Sequence, residues 1–142
     1  MKNLSEADKL KIPYKMLSED AFSQWLGIEI VKVKLGYCQV KLKVRKEMLN
    51  SMQKSHGGIT YALADTAFGF AANTHGNYAV SIETSINHIE AVNEGDELTA
   101  ESSVSIDKNK LGFHVVEIKR NTELVALFKG VVYKASKKWE VE

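Results

Sequence analysis

The stretch of this chain richest in chemistry runs from Ser55 to Gly76, a glycine-started, largely apolar segment with one carboxylate, Asp65, near its middle. Residues 58–73 read as a helix that is apolar nearly all round, the pattern of a helix buried on most sides. Ala62, Ala64, Ala67, Gly69, Ala71 and Ala72 keep its surface low enough for close approach by a sheet or a second chain. A carboxylate in such a setting is costly: left unpaired, it raises its pKa or needs partners. Asp65 therefore has either a structural partner or a task, and both kinds of perturbed carboxylate occur.

The start of the helix bears on that choice. His56-Gly57-Gly58 puts two residues without side chains where the first helical N–H groups lie. Those groups have no partner inside the helix and sit at the positive end of its dipole. Glycine lets a ligand oxygen come close to the backbone, which makes an oxyanion site. A tight loop-to-helix turn is the plainer account of the glycine pair alone. Gly57 and Asp65 are eight residues apart, about 12 Å along a helix axis, whereas reacting groups must converge to roughly 3–3.5 Å. If both act on one carbonyl, they come from two chains with antiparallel helices, and a homodimer is required.

The elements that must position these groups are legible from periodicity. Asp20–Leu26 reads as a short helix stopped at Gly27, with Phe22, Trp25 and Leu26 on one covering face. Ile28–Leu35 has Val31, Val33 and Leu35 alternating with lysines. Cys38, Val40, Leu42 and Val44 then alternate with Gln39, Lys41, Lys43 and Arg45, a half-buried hairpin. A loop over Lys46–Ser55 leads into the long helix, predicted over Gly57–His75 with Gly76 just after it. Four more strands are expected, over Tyr78–Ile89, Glu97–Ile106, Leu111–Lys119 and Leu124–Lys134. The order predicts an α+β fold: a curved antiparallel sheet of about six strands around one long helix, with a short N-terminal helix. One domain over 1–142 is expected, with peripheral tails at 1–17 and 135–142.

Composition narrows the function classes. With 142 residues, 44% hydrophobic, 26% charged and net charge +1, the chain is an ordinary globular one. No basic excess points to nucleic acid or a membrane surface. The first eleven residues lack the apolar core of a signal peptide, and no run is long enough to span a membrane. One cysteine, Cys38, allows no internal disulfide and reads as a small buried residue. A cytoplasmic location is expected.

Asn50, His56-Gly57-Gly58 and Leu63-Ala64-Asp65-Thr66-Ala67-Phe68 closely resemble the hotdog-fold thioesterases of the phenylacetate-degradation (PaaI) type. The similarity continues through Ser81–Asn87, Gly95–Leu98 and Ala126–Gly130, and covers about Phe22 to Tyr133. It implies a hotdog fold and hydrolysis of an acyl-CoA thioester to acid and CoA, with no metal and no cofactor beyond the CoA of the substrate. By the same resemblance, the Gly57 N–H polarises the thioester carbonyl. Asp65 of the neighbouring subunit is nucleophile or general base, Asn50 places the nucleophile or water, His56 lies near the thioester sulfur, and Ser81 helps orient water. Gly58 belongs with Gly57 at the substrate, and Tyr61, Phe68, Phe70 and Phe113 are candidates for an aromatic acyl pocket, although core packing explains them as well.

A dimer of shared sites, extended to a tetramer as in relatives, is implied. His75, His88 and His114 match no partner and read as structural or exposed. Where the family often carries an aromatic-Leu-Arg-Pro run, this chain has His88-Ile89-Glu90-Ala91, which bears on CoA contacts; Lys108, Lys110, Arg120, Lys137 and Lys138 are the alternative phosphate partners. Two other readings remain: a non-catalytic acyl-CoA sensor on the same fold, and a hotdog hydratase, whose Asp–His pattern is not seen here.

Overall fold

The computed structural model describes residues 3–142; Met1 and Lys2, which begin the expected N-terminal tail, lie outside the described residues. Three short helices, α1 (Glu6–Lys9), α2 (Ile12–Glu19) and α3 (Ala21–Leu26), precede the strands β1 (Glu29–Lys34) and β2 (Tyr37–Lys43). The long helix α4 (Gly57–Asn73) comes next, then β3 (Asn77–His88), β4 (Glu97–Asp107), β5 (Leu111–Arg120) and β6 (Glu123–Lys138). The six strands form one antiparallel sheet in the order β1-β2-β4-β5-β6-β3. This is the expected α+β architecture, a sheet around one central helix.

The core is the meeting of α4 with the inner face of the sheet. Leu63, Ala64, Ala67, Phe68 and Ala71 are buried together with Val40, Leu42, Leu98, Ala100, Val116, Ile118 and Phe128. Each fully buried Leu, Ile, Val or Phe contributes roughly 1.5–3 kcal/mol relative to exposure. The period of two in β2 holds: Cys38, Val40 and Leu42 point inward, and Val44 just beyond the strand is also buried. Burial pushes the Cys38 thiol up to about 12, so it stays protonated and inert. His114 on β5 is buried edge-on against Phe68, 5.4 Å between ring centres, with Ser102 Oγ 3.3 Å from its Nδ1. Burial lowers its pKa to about 4, so the ring is neutral.

Four expectations are corrected. In β1, a bulge between Ile30 and Lys32 adds one residue and switches the face on which the later side chains lie. Val31 and Leu35 are exposed, while Ile28, Ile30 and Val33 take the inward side; the apparent Val31/Val33/Leu35 alternation assumed an uninterrupted strand. In α3, Leu26 is buried but Phe22 and Trp25 are 56% and 62% exposed. Ser23 takes the inward position instead, its hydroxyl donating to Asp20 Oδ2 at 2.6 Å and lying 3.3 Å from Thr66 Oγ1 on α4. A satisfied small hydroxyl lets the helices approach where an aromatic ring would hold them apart.

The segments expected as peripheral tails are built into the fold. Ser5 caps α1 through Asp8 N, Pro13 opens α2, and Ile12 is fully buried. At the other end β6 continues to Lys138, and Trp139 stacks on Tyr78 at 4.1 Å while its Nε1 donates to Asn73 Oδ1 at 2.8 Å. Finally, α4 ends at Asn73, two residues early. Thr74 Oγ1 accepts from Gly36 N at 2.7 Å and donates to Ala71 O, tying the helix end to the β1–β2 turn.

One glycine is dictated by close packing. A Cβ on Gly130 of β6 would lie 2.6 Å from Phe68 Cζ and 2.7 Å from Cε1, and that ring is fully buried. Gly130→Ala is expected to destabilise the protein by about 2 kcal/mol or more, as overpacking of a core does. Denaturant unfolding checks this, and Phe68→Leu in the same chain should recover part of the loss. Unchanged stability of Gly130→Ala would show that the ring yields freely.

β3 stands at the sheet edge with one side unpaired in the chain. It is twelve residues long, bulged between Ser81 and Glu83, and carries Val80 and Ile82 at 55% and 59% exposure. A long apolar free edge of this kind is a pairing surface.

Candidate active site

Most of α4 is covered by the sheet and by α2 and α3. The uncovered stripe runs along Gly58, Ala62, Asp65 and Gly69, at helical spacing. Gly58 is exposed and the other three are half-buried; a Cβ on Gly69 would meet nothing within 4 Å. Asp65 is thus on the open face. Burial alone raises its carboxyl above the ordinary aspartate range, and no hydrogen bond or opposite charge lowers it again. The structural-partner account of Asp65 therefore finds no partner within the described residues of one chain.

At the N-terminus of α4 the backbone donors can be accounted for one by one. Ser55 N donates to Val92 O at 2.8 Å and His56 N to Met48 O at 2.8 Å. Gly58 N donates to His56 Nδ1 at 2.9 Å, and Ile59 N to His56 O at 2.9 Å. Gly57 N–H alone has no acceptor among the described residues. His56 is thus the helix N-cap: with Nδ1 accepting, its proton sits on Nε2, which is free for a ligand. Gly58 contributes space rather than a donor, because its N–H is taken by His56.

The loop before the helix is held by Asn50. Its Oδ1 accepts from Met52 N at 2.9 Å and Lys54 N at 3.2 Å, and Gln53 takes a left-handed conformation at φ 60° to close the turn. The Asn50 oxygen is therefore spent on capping the turn, and the amide nitrogen is left over. Asn50, Ser55, Gly57 and Thr60 line a cavity of about 340 Å³ together with His88, Ile89 and Glu90. Ser55 Oγ is buried there without a hydrogen-bond partner. The His88 ring packs on Gly57, a contact that sequence reading missed. The only signal was that His88 opens the stretch departing from the family's aromatic-Leu-Arg-Pro pattern.

The other candidates lie along α4 and on the strand β3 beside it. The Tyr61 hydroxyl bonds to Thr84 Oγ1 on β3, and Asn73 bonds to the backbone N and O of Ala79 through its Oδ1 and Nδ2. These two tethers run α4 antiparallel to β3. Asp65 falls on the helix between them, and Ser81 on the strand between them. Ser81 pairs with Val132, whose side chain is buried inward, so Ser81 faces the helix side of the sheet. Tyr61 is half-buried, edge-on to Phe128 at 5.5 Å. Phe68 is corrected: it is fully buried against Phe128, His114 and Gly130, a core residue with no surface for a substrate.

The helix is continuous from Gly57 to Asp65, eight positions on, so the separation of about 12 Å stands. The structure does not bring Asp65 and the Gly57 N–H together within one chain.

Of the cationic candidates, Arg120 is committed, donating to Asp96 at 2.7 Å, Glu123 at 2.9 Å and Ala91 O at 3.1 Å. Lys137 lies over Tyr78 and Lys138 bonds Asn3. Lys108 and Lys110 line a cleft with His75 at the opposite end of the molecule from Gly57.

An antiparallel sheet wrapped round one long helix is the hotdog fold. Residues 53–126 match the thioesterase superfamily, and the chain belongs to that family. It is 39% identical over 122 residues to a putative esterase of Archaeoglobus fulgidus, covering 85% of this chain and 79% of that one. It is 36% identical over 118 residues to the acyl-coenzyme A thioesterase PaaI of Escherichia coli, 82% of this chain and 84% of that one. The solved structure of the E. coli PaaI protein superposes with a TM-score of 0.90 at 32% identity, covering 94% and 97% of the two chains. No helix among the described residues is long and apolar enough to cross a membrane.

Proposed function

We propose that this protein hydrolyses an aryl- or medium-chain acyl-CoA to the free acid and CoA, in a homodimer whose sites each take Gly57 from one chain and Asp65 from the other. The observation that carries the reading is the pairing on one helix of a single free N–H and a single unpartnered carboxylate, about 12 Å apart. The thioester oxygen accepts from Gly57 N–H. Asp65 of the second chain takes a proton from the attacking water, or attacks the carbonyl carbon directly to give a mixed anhydride that water then cleaves to the free acid. Electron density moves onto the oxygen, and collapse expels CoA as thiolate, a good leaving group that needs no further activation. Asn50 and Ser81 hold the water or the nucleophile. His56 Nε2 stands toward the sulfur.

The dimer fits the open surfaces. Pairing of two β3 edges about a two-fold axis makes one continuous sheet and covers Val80 and Ile82, a self-complementary contact. The same axis sets the low stripe Gly58/Ala62/Gly69 of each α4 against its counterpart. Supporting the substrate class are the similarity to PaaI and the half-buried Tyr61 beside Asp65. CoA thioesters and a reduced Cys38 fit the cytoplasm.

The test is thiol release with benzoyl-, hexanoyl- and decanoyl-CoA. The expected result is turnover of at least one, with kcat in the ordinary range of roughly 1–1000 per second. Tight binding with no turnover of any of them would instead assign the protein as an acyl-CoA sensor.

A further inference from the structure

The oxyanion site described above has one backbone donor. Gly58 N–H and Ile59 N–H both serve His56, and the N–H groups of Ser55 and His56 serve Val92 and Met48, so only Gly57 N–H remains. A tetrahedral oxyanion carries three lone pairs, and a single donor leaves most of its developing charge unsatisfied. The structure supplies a candidate for the second donor. His88 is the last residue of β3 and pairs with Ala126 of β6. Ala126 is fully buried, so the His88 side chain projects to the same side of the sheet, toward α4. There its ring lies against Gly57. A Cβ placed on Gly57 would be 3.2 Å from Nε2, 3.3 Å from Cε1 and 3.9 Å from Cδ2.

The Nε2–Cε1 edge of the imidazole is therefore the part nearest the place a Gly57 Cβ would take, and Nε2 is its closest atom. Both residues line the cavity that also holds Asn50 and the unpartnered Ser55 Oγ. Packing against Gly57 places the ring; among the described residues no hydrogen bond occupies either ring nitrogen. An oxygen accepting from Gly57 N–H at about 2.9 Å lies within reach of a donor seated this close to the same residue.

We infer that His88 is the second oxyanion donor of the site, its Nε2–H bonding the same thioester oxygen as the Gly57 N–H. The inference rests on the thioesterase reading and deepens it. When the nucleophile adds to the carbonyl carbon, the carbonyl π pair moves to the oxygen and both donors shorten their bonds to it. When the pair returns, the C–S bond breaks and its electrons leave with the CoA sulfur. His88 keeps its proton throughout, so the neutral Nε2–H tautomer is sufficient. The role also explains why a polar ring can stand at the mouth of α4: a phenyl ring would fill the same space and offer the oxygen nothing.

Two substitutions separate donation from packing. His88→Phe keeps a planar ring against Gly57 and removes the donor; His88→Gln keeps an N–H donor of similar reach. With whichever acyl-CoA the wild-type protein turns over, His88→Phe is expected to lower kcat about 100-fold, the usual loss for one oxyanion donor. KM should stay within about threefold, because an interaction made mainly in the transition state leaves ground-state binding alone. His88→Gln should recover at least about a tenth of wild-type kcat, as its amide replaces the bond. Thermal unfolding of both should match wild type. Wild-type kcat in His88→Phe would overturn the inference, as would equal loss in the Phe and Gln variants. Either result, with the wild-type protein active, leaves the hydrolase reading intact. Absence of thiol release by the wild-type protein overturns the hydrolase reading and this inference together.

Discussion

Replacing Asp65 by asparagine should lower acyl-CoA turnover by about 1000-fold or more, within the range for loss of a positioned base or nucleophile. Asparagine keeps the shape and removes the negative charge, so KM should change little while kcat falls. Stability should move the other way. The carboxyl is raised above its ordinary range by burial, with no compensating partner. A carboxylate whose folded pKa is higher than its unfolded one weakens the fold above that folded pKa, and the penalty disappears as pH falls below the unfolded value. Asp65→Asn should therefore unfold at the same or a higher temperature than wild type at neutral pH, with the difference closing in acid. Full activity in Asp65→Asn would remove the carboxylate from the mechanism. A large loss of stability would mean that the group has a structural partner after all.

Gly57→Val tests the other half of the site. The added Cβ meets the His88 ring at 3.2 Å, and the branched side chain crowds the one free N–H. A loss of about 100- to 1000-fold is expected, the scale of a disabled oxyanion site. Mixing is more telling than either variant alone. In a dimer of one Asp65→Asn chain and one Gly57→Val chain, one site has both defects and the other has neither. Random pairing of equal amounts makes half the dimers mixed, each with one working site of two, so about a quarter of wild-type activity should return. Mixed dimers that stay inactive would place Gly57 and Asp65 of the same chain in one site, contrary to the helix spacing.

How far the residues announced this structure depends on which interactions decide each part. The period of two in β2 and the apolar helix after Gly57-Gly58 were readable, because burial of alternating or all-round apolar positions is a local property of sequence. So was the stop of α3 at Gly27. The bulge in β1 was not, because nothing in Ile30-Val31-Lys32 marks where a partner strand skips a residue. Ser23 displaced Phe22 and Trp25 from the inner face of α3 through contacts with Asp20 and Thr66, and only one of those is near in sequence. Trp139 is buried by Tyr78 and Asn73, more than sixty positions away.

In the site, Asp65 and Gly57 were legible because a charge and a glycine pair are unusual in an apolar helix. His88 was not, because its place beside Gly57 depends on the register of β3 against β6. Phe68 was misassigned for the converse reason: an aromatic three residues from Asp65 is equally suited to the core, and Gly130 had opened a space for it.

The strand order carries a consequence for how the protein is made. β3 has a single neighbour within its own chain, β6, and β6 is the last strand to leave the ribosome. During synthesis β1, β2, β4 and β5 can join as each is completed, but β3 must wait with both of its edges bare. α4 can pack on β2 and β4 before that, with β3 tethered to it through Tyr61 and Asn73. The long apolar edge of β3, with Val80 and Ile82 exposed on it, is thus the part of the nascent polypeptide most open to wrong pairing. Its protection within the chain comes only when β6 arrives to pair with it.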